Sequence, residues 1–366
     1  MSNISSYVDF YGGLSFLEKD FNLVDNVIFS ELAYIDFAGI VPEIETGIGG
    51  WITLAAAYRL IMQKNKKVPV LKITGRVDEH TPFLGKLARS KRFGKARLSS
   101  YIDICDKDRQ LQFAALCIEL EDSTTYIAFR GTDQTIVGWR EDFTMLYSAI
   151  PAQSEALGYL KRVMKKTGTY RLGGHSKGGH LAVFAAMMLD DAMKNRIKTI
   201  YNNDGPGIGA DVMITDEFDK IKNKIRLILP EYCMIGAVFT NDVRRLIVKS
   251  RGIGAMQHDA MRWVVLGDSF VALRRIHPRS RRISIILRNW MNSMDYEERK
   301  AFVKHFFDAL EAGGATRISQ IPQSGLGSIG SVLSSMIKME QGARVAGAKL
   351  RKSVTDDIVK KLKVRS

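Results

Sequence analysis

The stretch TYRLGGHSKGGHLAVFAA, residues 169–186, constrains the fold of this chain more than any other. It opens as a β-like run that ends in glycines, turns on a serine, and leads into an apolar helical segment at 180–193. Gly174-His175-Ser176-Lys177-Gly178 fits the pattern G-x-S-x-G. A serine on so tight a strand-to-helix turn has strained backbone dihedrals, and the residues two before and two after it must lack bulk. The helix that follows aims its free N–H groups and dipole at the serine, where they favour developing negative charge. The pentapeptide by itself also occurs in ordinary glycine-rich turns. Here a strand precedes it and a helix follows it, the context a nucleophile requires.

The surrounding pattern supplies a sheet. LQFAALCIEL (111–120) and TTYIAFRG (124–131) read as paired strands across the turn EDS, and IKTIYNND (197–204), KIRLILPE (224–231) and RRLIVKS (244–250) as further strands. SEALGYLKRVMKK (154–166) reads as a helix between them. Strands alternating with helices predict an α/β fold, a mostly parallel sheet with helices on both faces. Upstream, FNLVDNVIFSELAYIDF (21–37) and WITLAAAYRLIMQK (51–64) have helical periodicity, and 81–101 reads as helix and loop. DYEERKAFVKHFFDAL (295–310) is a helix capped by Asp295 with Glu298 three residues on, and Phe302, Phe306 and Leu310 form one stripe. The expected division is a helical N-terminal region at 1–105, belonging to the main domain and a candidate lid, a core at 106–312, and a linker with a basic helical tail at 313–366.

A serine nucleophile needs a base and donors for an oxyanion. IAFRGTD (127–133) ends a strand, and its Gly131-Thr132 turn is placed to donate an N–H and the threonine hydroxyl; the Lys177 N–H is the second donor. The base should come late in the chain, which favours His258 in GAMQHDAMRW. His175 should point into the fold and His180 lie within the elbow helix, while His277 sits among arginines and His305 on the amphipathic helix. Two acids compete: Asp204 ends one strand in NNDGPG, and Glu231 ends the next in LPEYCMIG. An aspartate before GPG is also an ordinary turn former.

Taken together, IAFRGTD, GWRED, GGHSKGGHLA and NNDGPG resemble the α/β-hydrolase superfamily near the class 3 lipases, and most of all an uncharacterised bacterial branch of it. The likeness also includes YGGLSF, FNLVDNVIFSELAYIDFAGIVP and a late QHD…W, and spans residues 11–263. It implies an α/β-hydrolase fold and a serine hydrolase acting on acyl esters or lipids, with Ser176 as nucleophile, Thr132 as oxyanion residue and His258 as base. Class 3 lipases carry their aspartate after the strand that here reads RLILPEYCMIG, which has none. The acid is then Asp204 or Glu231, or the triad is incomplete and the fold serves as a binding scaffold.

Composition narrows partners and compartment. Apolar residues are 46% of 366, enough for a sizeable core. The formal charge of +15 favours an anionic partner, such as an anionic membrane surface. It is uneven: 272–288 holds six arginines and no acid, and nine basic residues face three acidic ones from Ser331 onward. No nucleic-acid motif accompanies the arginines. Three cysteines without ligand spacing argue against a disulfide framework or a metal and for a reducing, cytoplasmic setting. Neither a signal peptide nor a spanning helix is expected. Gly325 to Gly330 matches G-x-G-x-x-G but follows a linker rather than a strand, so no cofactor is inferred. Oligomeric state has no signature in the sequence.

Overall fold

The computed structural model describes residues 2–44, 50–64, 69, 77–133, 135–145, 147–209, 212–233, 236, 242–252 and 254–312. The expected linker, the basic tail and the G-x-G-x-x-G stretch lie outside the described residues. The strands are β1 (Ile52–Thr53), β2 (Arg97–Asp106), β3 (Leu111–Glu119), β4 (Thr124–Phe129), β5 (Thr169–His175), β6 (Ile197–Asn203), β7 (Ile225–Pro230), β8 (Arg244–Val248), β9 (Val265–Leu266), β10 (Ser269–Phe270) and β11 (Ala272–Leu273). Among the described residues, nine form one sheet in the order β1-β2-β3-β4-β5-β6-β7-β8-β11, and β9 pairs with β10. From β4 to β8 every neighbour is parallel. Antiparallel β1 to β3 and β11 flank this centre.

The helices are α1 (Ile4–Tyr11), α2 (Leu23–Leu32), α3 (Leu54–Lys64), α4 (Val77–Arg89), α5 (Ile136–Thr144), α6 (Pro151–Val163), α7 (Lys177–Met187), α8 (Asp191–Asn195), α9 (Thr215–Ile221), α10 (Pro278–Asn292) and α11 (Tyr296–Ala312). Alternation along β4 shows how they layer. Tyr126 and Ala128 join the apolar cluster that includes α1 to α4, whereas Ile127 and Phe129 join the one built with α6 and α7. Successive strand residues face opposite sides, so both faces of the sheet are covered. The chain has an α/β-hydrolase fold.

The N-terminal helices are locked onto their face by charge as well as packing. Arg92, fully buried, donates to both oxygens of Asp25 at 2.8 and 2.6 Å, and to the carbonyls of Leu14, Ser15, Lys19 and Asp20. Breaking such a pair costs about 3–5 kcal/mol, because the remaining charge stays buried. Asn26, Ser30, Tyr126 and Asn203 form a second buried network between α2 and the sheet.

Several elements differ from the sequence reading. The stretch 81–101 ends not in loop but in β2, whose register shifts between Ser99 and Ile102. The helix expected at 180–193 begins at Lys177 and breaks before α8, where Asp190 caps the new start. The arginine run is divided: Arg274 and Arg275 follow β11, and the other four arginines lie in α10. The predicted cap of α11 is present: Asp295 and Glu298 exchange side-chain to backbone hydrogen bonds at 3.0 and 2.9 Å.

Candidate active site

Parallel strands bring the ends of β5, β6 and β7 to one edge. Ser176 directly follows β5 with φ 57° and ψ −129°. This is a region non-glycine residues rarely occupy, and such strain persists only when the surroundings impose it. They do so through close backbone approach. A methyl on Gly178 would lie 2.1 Å from the Phe129 carbonyl oxygen, and one on Gly174 2.5 Å from the same atom. The Ser176 N–H donates to the Asn203 carbonyl at 2.9 Å, tying the elbow to β6.

Asp204 directly follows β6, also at positive φ (53°), and is fully buried. Its Oδ2 lies 2.6 Å from His258 Nδ1. A carboxylate only accepts, so Nδ1 carries the proton and Nε2 presents its lone pair. The His258 side chain keeps 20% exposure, and Ser176 keeps 8%. Asp204 Oδ1 accepts from the Cys233 thiol at 2.8 Å. The backbone of Glu231 bonds to Val248 and His277, and its side chain makes no bond to His258 among the described residues. Ser176 Oγ makes no hydrogen bond to His258 among the described residues. Such contacts often tighten only around substrate.

The other histidines near the elbow are committed elsewhere. His175 Nε2 donates to the His258 carbonyl at 2.7 Å, while Nδ1 faces the Tyr34 hydroxyl at 3.1 Å. Its ring lies 4.5 Å from that of His258, so it braces the loop that carries the imidazole. His180 Nδ1 lies by the Pro206 and Gly207 carbonyls, and Nε2 by the Gln153 amide at 2.8 Å. Burial pushes His180 down to about 4, so it stays neutral.

Gly131 and Thr132 lie against the elbow: a methyl on Gly131 would be 3.2 Å from Ser176 Cβ. The Thr132 hydroxyl gives its one proton to Asp142 at 2.6 Å. That leaves the Thr132 and Lys177 backbone N–H groups as donors, neither engaged by backbone among the described residues. Burial pushes the Asp142 carboxyl up to about 6, against the pull of Lys177 and Thr132.

Sequence reasoning considered only the backbone of Lys177. Its side chain is fully buried, with Nζ 2.8 Å from Glu141 Oε2 and 2.9 Å from both the carbonyl and the side-chain oxygen of Gln112. Glu141 and Asp142 lie in the GWRED stretch, whose two adjacent acids were the available signal. Cys233 had no such signal. Among the described residues there is no cluster of His, Cys, Asp and Glu suited to a metal, and no helix long and apolar enough to cross a membrane.

The chain is similar to lipase II from Rhizopus niveus at 14% identity, over 47% of this chain and 74% of that one, with a TM-score of 0.31. It is similar to M37 lipase at 15% identity, over 58% of this chain and 68% of that one, with a TM-score of 0.35. No curated protein matches it. The Mbeg1-like family model matches residues 87–308, from the end of α4 through β2 to β11 and into α11, including Thr132, Ser176, Asp204 and His258. With more than half of its length matched, the chain belongs to the Mbeg1-like family.

Proposed function

We propose that this chain is a serine hydrolase that cleaves acyl esters or lipids. Ser176 Oγ attacks the acyl carbonyl as its proton passes to His258 Nε2, and Asp204 holds the resulting imidazolium. The oxyanion takes hydrogen bonds from the Thr132 and Lys177 N–H groups. The imidazolium returns its proton to the departing alcohol. Water, deprotonated by His258, then releases the acid from the acyl-enzyme and regenerates Ser176.

The reading rests on one observation above the rest: the 2.6 Å contact between His258 and Asp204 at the same sheet edge as the strained Ser176. The absence of a Ser176–His258 hydrogen bond favours a second reading, a scaffold that keeps the fold without turnover. A fluorophosphonate probe separates them. Labelling lost in Ser176→Ala, with p-nitrophenyl ester hydrolysis falling by about three orders of magnitude or more, supports the enzyme. Folded wild-type protein that takes no label supports the scaffold. The charge of +15 and three free cysteines support a cytoplasmic, membrane-peripheral setting.

A further inference from the structure

We infer that Cys233 is a positioning residue for the acid–base pair: its thiol holds Asp204 Oδ1 while Oδ2 holds His258. The inference rests on the proposed triad. Among the described residues, the Asp204 carboxylate has two hydrogen-bond partners, His258 Nδ1 at 2.6 Å and Cys233 Sγ at 2.8 Å. Asp204 and Cys233 are both fully buried. The thiol packs with Leu227 and Leu229, so among the described residues Oδ1 faces an apolar wall and the Cys233 donor. Backbone closes on the same oxygen from another side, since a methyl on Gly236 would lie 2.6 Å from Oδ1.

Cys233 is itself braced by the elements that carry the site. The buried Ser280 hydroxyl, in the first turn of α10, donates to the Cys233 carbonyl. The Tyr232 N–H donates at 2.9 Å to the side-chain oxygen of Gln257, the residue before His258. The Glu231 N–H donates to Val248 at 2.8 Å. Thiol and imidazole therefore approach the carboxylate from one connected frame.

The chemistry gives the bond a use. A carboxyl group rotates about its Cβ–Cγ bond unless both oxygens are held. A thiol is a weak, uncharged donor, so it fixes Oδ1 without competing for the Nδ1 proton. Without it, a buried oxygen loses its donor among the described residues, and the carboxylate is less stabilised as an anion. Proton uptake by either member of the pair then becomes easier. Both routes move the acidic limb of the pH profile in the same direction, to higher pH.

The test is steady-state hydrolysis of p-nitrophenyl acetate by the full chain across pH, for wild type, Cys233→Ala and Cys233→Ser. Cys233→Ala should lower kcat about tenfold with KM within about twofold, and move the acidic limb of kcat/KM to higher pH. Cys233→Ser keeps a donor and should recover most of both effects. An alanine variant with the wild-type kcat and profile would overturn the inference. So would serine and alanine variants that are equally impaired, because the thiol would then only fill space. If wild type neither hydrolyses ester nor takes fluorophosphonate, the triad reading fails. The contact is then read by NMR of the His258 Nδ1–H in folded, histidine-labelled protein. That resonance should shift in Cys233→Ala and return towards wild type in Cys233→Ser; an unchanged resonance overturns the positioning role.

Discussion

Burial pushes the ionisation of Asp142 and His180 in opposite senses. The Asp142 carboxyl rises to about 6 and the His180 imidazole falls to about 4. For Asp142 the folded protein favours the protonated acid, so its stabilisation is complete below about pH 4 and lost as pH rises through about 6. His180 is the reverse: its contribution is complete above about pH 6.5 and lost as pH falls towards 4. At roughly 1.4 kcal/mol per pH unit, the two contributions are worth at most about 3 kcal/mol for Asp142 and about 3.5 kcal/mol for His180. Over the shared window they offset one another. Asp142→Asn removes one slope and leaves the other, since asparagine can still accept from Thr132. Its urea midpoint should therefore climb more steeply between pH 4.5 and 6.5 than that of wild type. It should match wild type near pH 4 and exceed it at pH 7. Parallel curves for the two proteins would show that Asp142 does not titrate in this range.

At the scale of elements, α7 starts with a buried cation that ties four elements together. Lys177 Nζ spends its donors on Glu141 and Gln112, while Glu141 also accepts the Gln112 and Ala152 N–H groups at 3.0 and 3.2 Å. The pair joins α7 to α5, β3 and the start of α6. Glu141→Gln removes the carboxylate bonded to the lysine, leaving Asp142 as its acidic neighbour, and should cost about 3–5 kcal/mol by urea denaturation. A loss below about 1 kcal/mol would mean that water or another group compensates it. The adjacent acids of GWRED were visible, but their pairing with Lys177 was not, because Glu141 and Lys177 are 36 residues apart. Cys233 and Asp204, 29 residues apart, were hidden for the same reason. The central strands were legible, because strands buried on both faces read as continuous apolar runs. β2 was not: RLSSYIDICD is half polar and bulged. The start of α7 was missed because Gly178 and Gly179 are poor helix formers. They are there because Phe129 and Asn202 leave no room for a side chain. The G-x-S-x-G turn nominated Ser176 and chain order His258, but the contact that sets Asp204 beside His258 depends on distances between strand ends, which no local pattern carries.

The whole molecule carries a charge of +15, and its placement bears on how it would meet an insoluble ester. Two phenylalanines of the amphipathic helix α11 are turned inward: Phe302 and Phe307 are buried, with ring centroids 5.2 Å from Trp290 and 5.5 Å from Phe143. The side chains of Phe306 and Leu310 lie outside the described residues. At the far end of the sheet Arg244, Arg245, Arg274, Arg275, Arg279 and Arg281 are exposed, and none makes an ion pair among the described residues. They flank β8 and β11, the last strands of the sheet. Charge at an edge discourages pairing with another chain, which is a sufficient structural use for it. Docking on an anionic bilayer is a different use with a different signature. Each arginine near such a surface adds about 1 kcal/mol, so six act collectively, and the attraction is screened over about 8–10 Å at physiological salt. The full chain should then sediment with vesicles containing phosphatidylserine, not with neutral vesicles, and should release as salt rises. Replacing Arg274, Arg275, Arg279 and Arg281 by serine should weaken binding by about a thousandfold. A chain ending at Gly330 separates the contribution of the nine basic residues beyond Ser331. If the serine variant binds like wild type while the shortened chain does not, docking belongs to the tail. If wild type binds neither vesicle, or binds regardless of salt, electrostatic docking is ruled out and the arginines protect the edge of the sheet.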